Sequence, residues 1–263
     1  MNADTSRRGF TLVEALVVVG ILALGLSLLL PTLGHSRAKA RQIRCLSNLR
    51  QMASAASAYA TASRGRLPLS YWHADDATLA WDYTRVLEAP GKWRVVPGML
   101  WMGADAGDVH QCPDFDGRSN WADDPFTGYN YNTSYLGGGQ HEKDAQNRPA
   151  PEPARLTWVS DPAGTAMFGD SEYAAGANKF MRAPRHGGRD GASATRAAGS
   201  QGYRHVGTTN IAFVDGHATA WGDRFTLYDI GPAANPVERD LQSDRIGFLS
   251  EDNSLYDLGR RDR

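Results

Sequence analysis

Residues 7–34 read RRGFTLVEALVVVGILALGLSLLLPTLG, and the way this stretch is taken decides the fold. Between Phe10 and Leu30 the only ionisable side chain is Glu14. As a helix rising 1.5 Å per residue, the run is about 31 Å long, close to the thickness of a bilayer core. One spanning helix is therefore expected. A secretory signal peptide would need a small-residue cleavage site just after the run. The nearest, Ala38-Lys39-Ala40, stands well beyond it and follows Arg37. A plain anchor has no use for Glu14, since a lone carboxylate in lipid is costly and calls for a partner.

Composition frames the rest. The chain has 263 residues, 41% of them hydrophobic and 10% aromatic, enough for one domain of ordinary size with appendages. Its formal net charge of -1 lacks the strongly basic balance of a nucleic-acid binder, so no nucleic-acid partner is expected. Basic residues do crowd one place: Arg37, Lys39, Arg41, Arg44 and Arg50 follow the apolar run.

The segment RRGFTLVEAL resembles the leader junction of type IV pilins and type II secretion pseudopilins: a short basic leader, a glycine, then Phe-Thr-Leu-Val-Glu opening a hydrophobic helix. The resemblance implies a leader of residues 1–9, cleavage between Gly9 and Phe10 by a prepilin peptidase, and N-methylation of Phe10. It also implies that Glu14 faces the amino terminus of a neighbouring subunit, so that two charges costly alone in lipid satisfy each other on docking. Pro31 falls where pilins carry a helix-kinking proline, and a proline inside a helix removes a backbone hydrogen bond. The implied setting is a bacterial inner membrane crossed once, with the head in the periplasm or on a surface filament. The positive-inside rule favours the opposite orientation, with two basic residues before the span and five after it. The leader resemblance overrides it in this reading.

After the spanning helix (10–31), residues 32–64 are expected to continue it. Ile43, Leu46, Leu49, Ala53, Ala56 and Ala60 recur at steps of three and four, and Gly65 supplies a stop. Residues 65–263 read as an α+β head, with the helix lying on an antiparallel sheet. Strands are expected in RLPLSYW, KWRVVPGMLW, GYNYNTSYL, RLTWVSD, TAMFGDS and RFTLYDI. Residues 173–202 read as a long surface loop and the tail after Pro232 as peripheral.

Within RHVGTTNIAFVDGHATAW (204–221), Asp215-Gly216 predicts a two-residue type I′ hairpin, with Val214 opposite His217 and Phe213 opposite Ala218. The spacing of His205 from Asp215-Gly216 is similar to the H-x9-DG motif of a widespread set of prepilin-type proteins. The contexts RCLSNLRQ and QCPDF resemble those in which such proteins carry their cysteines. Cys45 and Cys112 are the only two, and an even count in a head placed outside the cytoplasm predicts a disulfide between them. A zinc site built from His110 and Cys112 is the alternative.

No metal or cofactor is expected to be resident. Calcium enters through the resemblance to major pseudopilins, with Asp114, Asp116, Asp123 and Asp124 as candidate ligands. Scattered carboxylates and imidazoles, including Asp161, Asp170, His186 and His217, could serve a hydrolase. No nucleophile elbow, P-loop or HExxH pattern accompanies them, so no enzyme is expected. The reading is a pilin-like filament subunit whose partners are the peptidase, other pilin-like subunits and the inner membrane. A membrane-tethered binding protein that never polymerises is the second reading, and a secreted hydrolase the third.

Overall fold

A computed structural model describes residues 11–73, 76–102, 106–119, 128–138, 152–173, 176–185, 197–226 and 245–259. The chain divides into two compact units, Met1–Ala40 and Arg41–Arg263. Helix α1, Leu12–Ala62, supplies the described part of the first unit and opens the second. It is the one helix among the described residues that is long and apolar enough to cross a membrane. From Leu12 to Leu33 every large apolar side chain is exposed. Pro31 sits inside the helix, and its missing N–H leaves the carbonyl four residues back without its usual donor.

In the second unit the helix buries one face. Cys45, Leu49, Met52, Ala53, Ala56 and Ala60 are fully buried, with polar Gln42 and Asn48 beside them. This face is rotated from the expected one. Ile43, placed on the apolar stripe by its spacing, is 65% exposed, and Leu46 is only partly buried. Hydrogen bonding explains the rotation: Gln42 donates to the Thr208 hydroxyl at 2.9 Å and Asn48 to the Tyr129 hydroxyl at 3.2 Å. The small Ala53, Ala56 and Ala60 let the backbone lie close to the sheet. The helix ends at Ala62, where Gly65, with φ of +80°, donates its N–H back to the Ala60 carbonyl at 2.7 Å.

Two sheets dominate. The first is an antiparallel meander of β1 (Tyr71–His73), β2 (Ala77–Ala80), β3 (Tyr83–Ala89) and β4 (Lys92–Pro97). A two-residue ladder then joins β5 (Arg118–Ser119) to β8 (Gly176–Ala177) in parallel. The second main sheet uses β6 (Tyr129–Asn132), β7 (Ala166–Asp170), β9 (Phe180–Met181), β11 (Thr209–Phe213) and β12 (Ala218–Trp221), in the order β12-β11-β7-β6-β9. It is mixed, because β9 pairs with β6 in parallel. A last short pair joins β10 (Gln201–Gly202) to β13 (Ile246–Gly247).

Alternation assigns the faces. Tyr129, Tyr131, Phe168 and Ala212 pack with the helix residues, together with Trp81 and Leu100. Ile211 and Phe213 point the other way, onto Ile246, Phe248, Leu249 and Tyr256. The arrangement is α+β and pilin-like: a long N-terminal helix followed by a β-rich part on which its C-terminal half packs.

Several expectations are corrected. RLTWVSD forms a short 3-10 turn at Leu156–Trp158, not a strand. The stretch 173–202 is only partly loop, since Phe180–Met181 closes the main sheet; its residues 186–196 lie outside the described residues. The far tail is not peripheral. Ile246, Phe248, Leu249 and Tyr256 are buried, although residues 227–244, with most of RFTLYDI, lie outside the described residues. The hairpin register is shifted by one residue. Ala212 pairs with Ala218, and the Phe213 N–H bonds the His217 carbonyl at 2.9 Å, so the loop is Val214-Asp215-Gly216. Only Gly216 takes positive φ, +95°, and its N–H reaches the Phe213 carbonyl. This is a type I turn with a bulge glycine, for which Asp-Gly serves as well as for type I′.

Gly98 marks the tightest backbone approach in the meander. A methyl group there would lie 2.3 Å from the Tyr83 nitrogen and 2.6 Å from the Ala80 carbonyl oxygen. Backbone cannot swing away as a side chain can. Gly98→Ala is expected to destabilise by about 2–4 kcal/mol, read as a lowered urea midpoint of the detergent-solubilised chain.

Candidate functional site

Two places hold the chemistry. The first is the start of α1. Gly9 and Phe10 lie outside the described residues. Glu14 Oε2 accepts the Thr11 N–H at 2.8 Å and the Thr11 hydroxyl at 2.7 Å, while the Glu14 N–H reaches Thr11 Oγ1 at 3.3 Å. This is a reciprocal capping box, with Thr11 as the N-cap and Glu14 three residues on. It satisfies donors that no earlier turn can take up. The Thr-x-x-Glu spacing was present in the sequence as its signal.

The second place is buried in the unit Arg41–Arg263, where four chain segments meet. Cys45 comes from α1; Cys112 follows the 3-10 turn Gly107–His110; Asp170 ends β7; His205 precedes β11. All four are buried, and one ligand atom from each lies within 4.8 Å of the others. The two sulfurs are 3.0 Å apart and both cysteines are free. His205 Nε2 lies 3.6 Å from Cys112 Sγ and 3.3 Å from Asp170 Oδ2, and its Nδ1 lies 2.8 Å from Asp114 Oδ2. Local backbone fixes the imidazole: His205 and Thr208 exchange backbone hydrogen bonds across a tight turn in which Val206 and Gly207 both take positive φ.

A surrounding layer holds these groups. The Arg204 guanidinium donates to Asp170 Oδ1 at 3.2 Å and, through Nε, to Cys112 Sγ at 3.4 Å. Asp170 Oδ2 accepts the Asn210 N–H at 2.7 Å, and the Tyr129 hydroxyl meets Cys45 Sγ at 3.1 Å. Asp114 also receives Arg41. Gly128 fits closely behind Cys112, since a methyl there would come within 2.6 Å of its Cβ.

The protonation states follow from these neighbours. Burial alone would raise the Cys112 thiol, but the Cys45 hydrogen bond and the Arg204 charge outweigh it and bring the group down to about 6. Burial and its hydrogen bond to Cys112 push Cys45 the other way, far up. One proton is thus shared by the pair. Burial would lower His205; its contacts with Asp170 and Cys112 prevail and raise it to about 10. Asp170 stays below the ordinary carboxylate range because Arg204 and His205 overcome its burial.

Other candidates separate. His110 does not join Cys112 against a metal: it accepts a hydrogen bond from the Trp101 indole and packs against Trp81. Burial, with the charge of Lys179, lowers it to about 3. Of the four calcium candidates, Asp114 faces Arg41 and His205, Asp116 is exposed, and Asp123 and Asp124 lie outside the described residues. His186 also lies outside them. The two ends of H-x9-DG part company: His205 enters the buried cluster, whereas Asp215 Oδ1 accepts the His217 N–H at 3.0 Å in the exposed hairpin loop. Sequence reading missed Arg204, Tyr129 and Asn210, and took Asp170 only as one scattered carboxylate. Nothing in their spacing announces them.

A family model described as the prokaryotic N-terminal methylation motif matches residues 4–30. On an N-terminal apolar helix, the motif fits a type IV pilin-like leader and supports a type IV pilin-like or pseudopilin precursor. The same helix is consistent with membrane anchoring. No curated protein and no solved structure matches the chain significantly.

Proposed function

We propose that this chain is a filament subunit of a type II secretion or type IV pilus-like system. A prepilin peptidase cuts between Gly9 and Phe10, the new amine is methylated, and the apolar segment of α1 passes from the inner membrane into a filament core. The α+β head is displayed outside the cytoplasm. Its work is assembly, not catalysis. The carrying observation is the methylation motif over residues 4–30, running into an apolar helix whose large side chains are exposed from Leu12 to Leu33. Exposed apolar surface on this scale needs lipid or other helices around it. The buried cluster does not favour an enzyme: Cys112, His205 and Asp170 are each at most 1% exposed, which leaves a substrate no approach.

The second reading, a tethered protein that never polymerises, draws on one observation. The capping box gives Glu14 a partner inside its own chain.

The test of processing is the intact mass and N-terminal sequence of the chain extracted from membranes of cells with and without a prepilin peptidase. The expected product begins at methylated Phe10 only when the peptidase is present. A chain beginning at Met1 in both, or at Arg41, overturns the proposal.

A further inference from the structure

We propose that Cys45, Cys112, Asp170 and His205 form a tetrahedral binding site for a zinc ion that clamps α1 to the sheet. The inference is independent of the filament reading, since every ligand lies in the unit Arg41–Arg263. Two sulfurs, one imidazole nitrogen and one carboxylate oxygen are the donor types that zinc takes, and four is its structural coordination number. The four atoms already share one buried space. In a tetrahedral site with bonds of about 2.3 Å, two sulfurs stand about 3.8 Å apart, so the pair at 3.0 Å need open by only about 0.8 Å.

The layer around the four is what a zinc site requires. The Asp114 carboxylate, 2.8 Å from His205 Nδ1 though not aligned for a hydrogen bond, favours by its charge a proton on that nitrogen, which leaves the Nε2 lone pair toward the sulfurs. The Asn210 N–H orients Asp170, and Arg204 braces both Asp170 and Cys112. Charge closes as well. Binding releases the one proton that the sulfurs share and the imidazolium proton of His205 as the dication enters, leaving two thiolates, Asp170 and Asp114 against zinc, Arg204 and Arg41. The sum is zero with His205 neutral, so no uncompensated charge is buried.

A disulfide is the competing use of the two sulfurs. It would engage two of the four ligand atoms and leave a buried imidazole and carboxylate aimed at the bond. The zinc ion engages all four.

The test uses the full chain, purified in detergent without reductant or chelator. Zinc content, thiols titrated after unfolding, and intact mass are measured together. About one zinc per chain and two titratable thiols are expected, and replacement by cobalt should give the intense thiolate charge-transfer and tetrahedral ligand-field bands. His205→Gln and Asp170→Asn should each reduce zinc retention by at least about tenfold and alter the cobalt spectrum while both thiols stay free. Asp215→Asn, in the hairpin, should change nothing. Should the variants fail to fold, the wild-type cobalt spectrum still decides. A chain lighter by two hydrogens and without thiols overturns the proposal, whatever its reduced form binds. So does a chain with two free thiols that gives no tetrahedral cobalt spectrum, or zinc retained equally by the Cys45→Ser/Cys112→Ser double variant.

Discussion

Glu14→Gln is expected to leave the chain cut after Gly9 and held in the membrane, yet to lower its incorporation into filaments by about tenfold or more. Glutamine serves at the third helical position of a capping box as glutamate does, so the hydrogen bonds with Thr11 survive the change. What the substitution removes is the negative charge. If that charge meets the amino terminus of the next subunit, its loss leaves a positive group in lipid without a partner, and docking fails. Glu14→Ala removes cap and charge together and cannot separate the two roles. Sheared filaments, immunoblotted beside the membrane fraction, give the ratio. Wild-type incorporation of Glu14→Gln would show that the carboxylate is a cap and nothing more, whereas the non-polymerising reading requires that the unaltered chain itself be missing from the sheared filaments.

Asp82→Ala should give the largest loss of stability, about 3–5 kcal/mol. Lys179 Nζ bonds both Asp82 carboxylate oxygens at 3.0 Å, and each side chain is only 2% exposed. The ammonium also lies 3.8 Å above the Tyr83 ring. The pair ties the meander, at the turn between β2 and β3, to the segment entering β9. Removing the acid takes away the carboxylate that the ammonium bonds through both oxygens, in a place that solvent barely reaches. Against a typical total of 5–15 kcal/mol, that is a large share. The double variant Asp82→Leu/Lys179→Met removes both charges and should recover most of the loss. Urea midpoints of the four forms complete the cycle. A loss below about 1 kcal/mol for Asp82→Ala would mean that water reaches the pair.

How much of this was legible beforehand depended on range. The apolar N-terminal helix, its continuation to about residue 62, and strands such as TAMFGDS rest on local patterns, and local patterns can be read. The orientation of the amphipathic stretch could not be, because Gln42 and Asn48 are buried by partners far along the chain, 166 residues away in the case of Gln42 and Thr208. Spacing put Ile43 on the stripe; tertiary hydrogen bonds put Gln42 there instead. The buried cluster shows the same limit. Cys45 and Cys112 could be paired by their count, and His205 was singled out by its motif, but no short spacing of the CxxC kind links them to each other or to Asp170. The hairpin was recognised and its turn mistaken, since Asp-Gly suits both geometries and only the ladder register decides.

The separation of the four cluster residues along the chain also sets an order of events during synthesis. At about 5–20 residues per second, the ribosome needs roughly 10–30 s to travel from Gln42 to Thr208. Over that interval Asn48 gains its partners first, at Asp108, Gln111 and Tyr129, while Gln42 waits for Thr208 and Asn210. Their last partners arrive with the turn before β11. The head therefore closes by long-range contacts made late, the slow kind of folding. Any chain that stops short of His205 keeps its N-terminal helix beside an unfinished head.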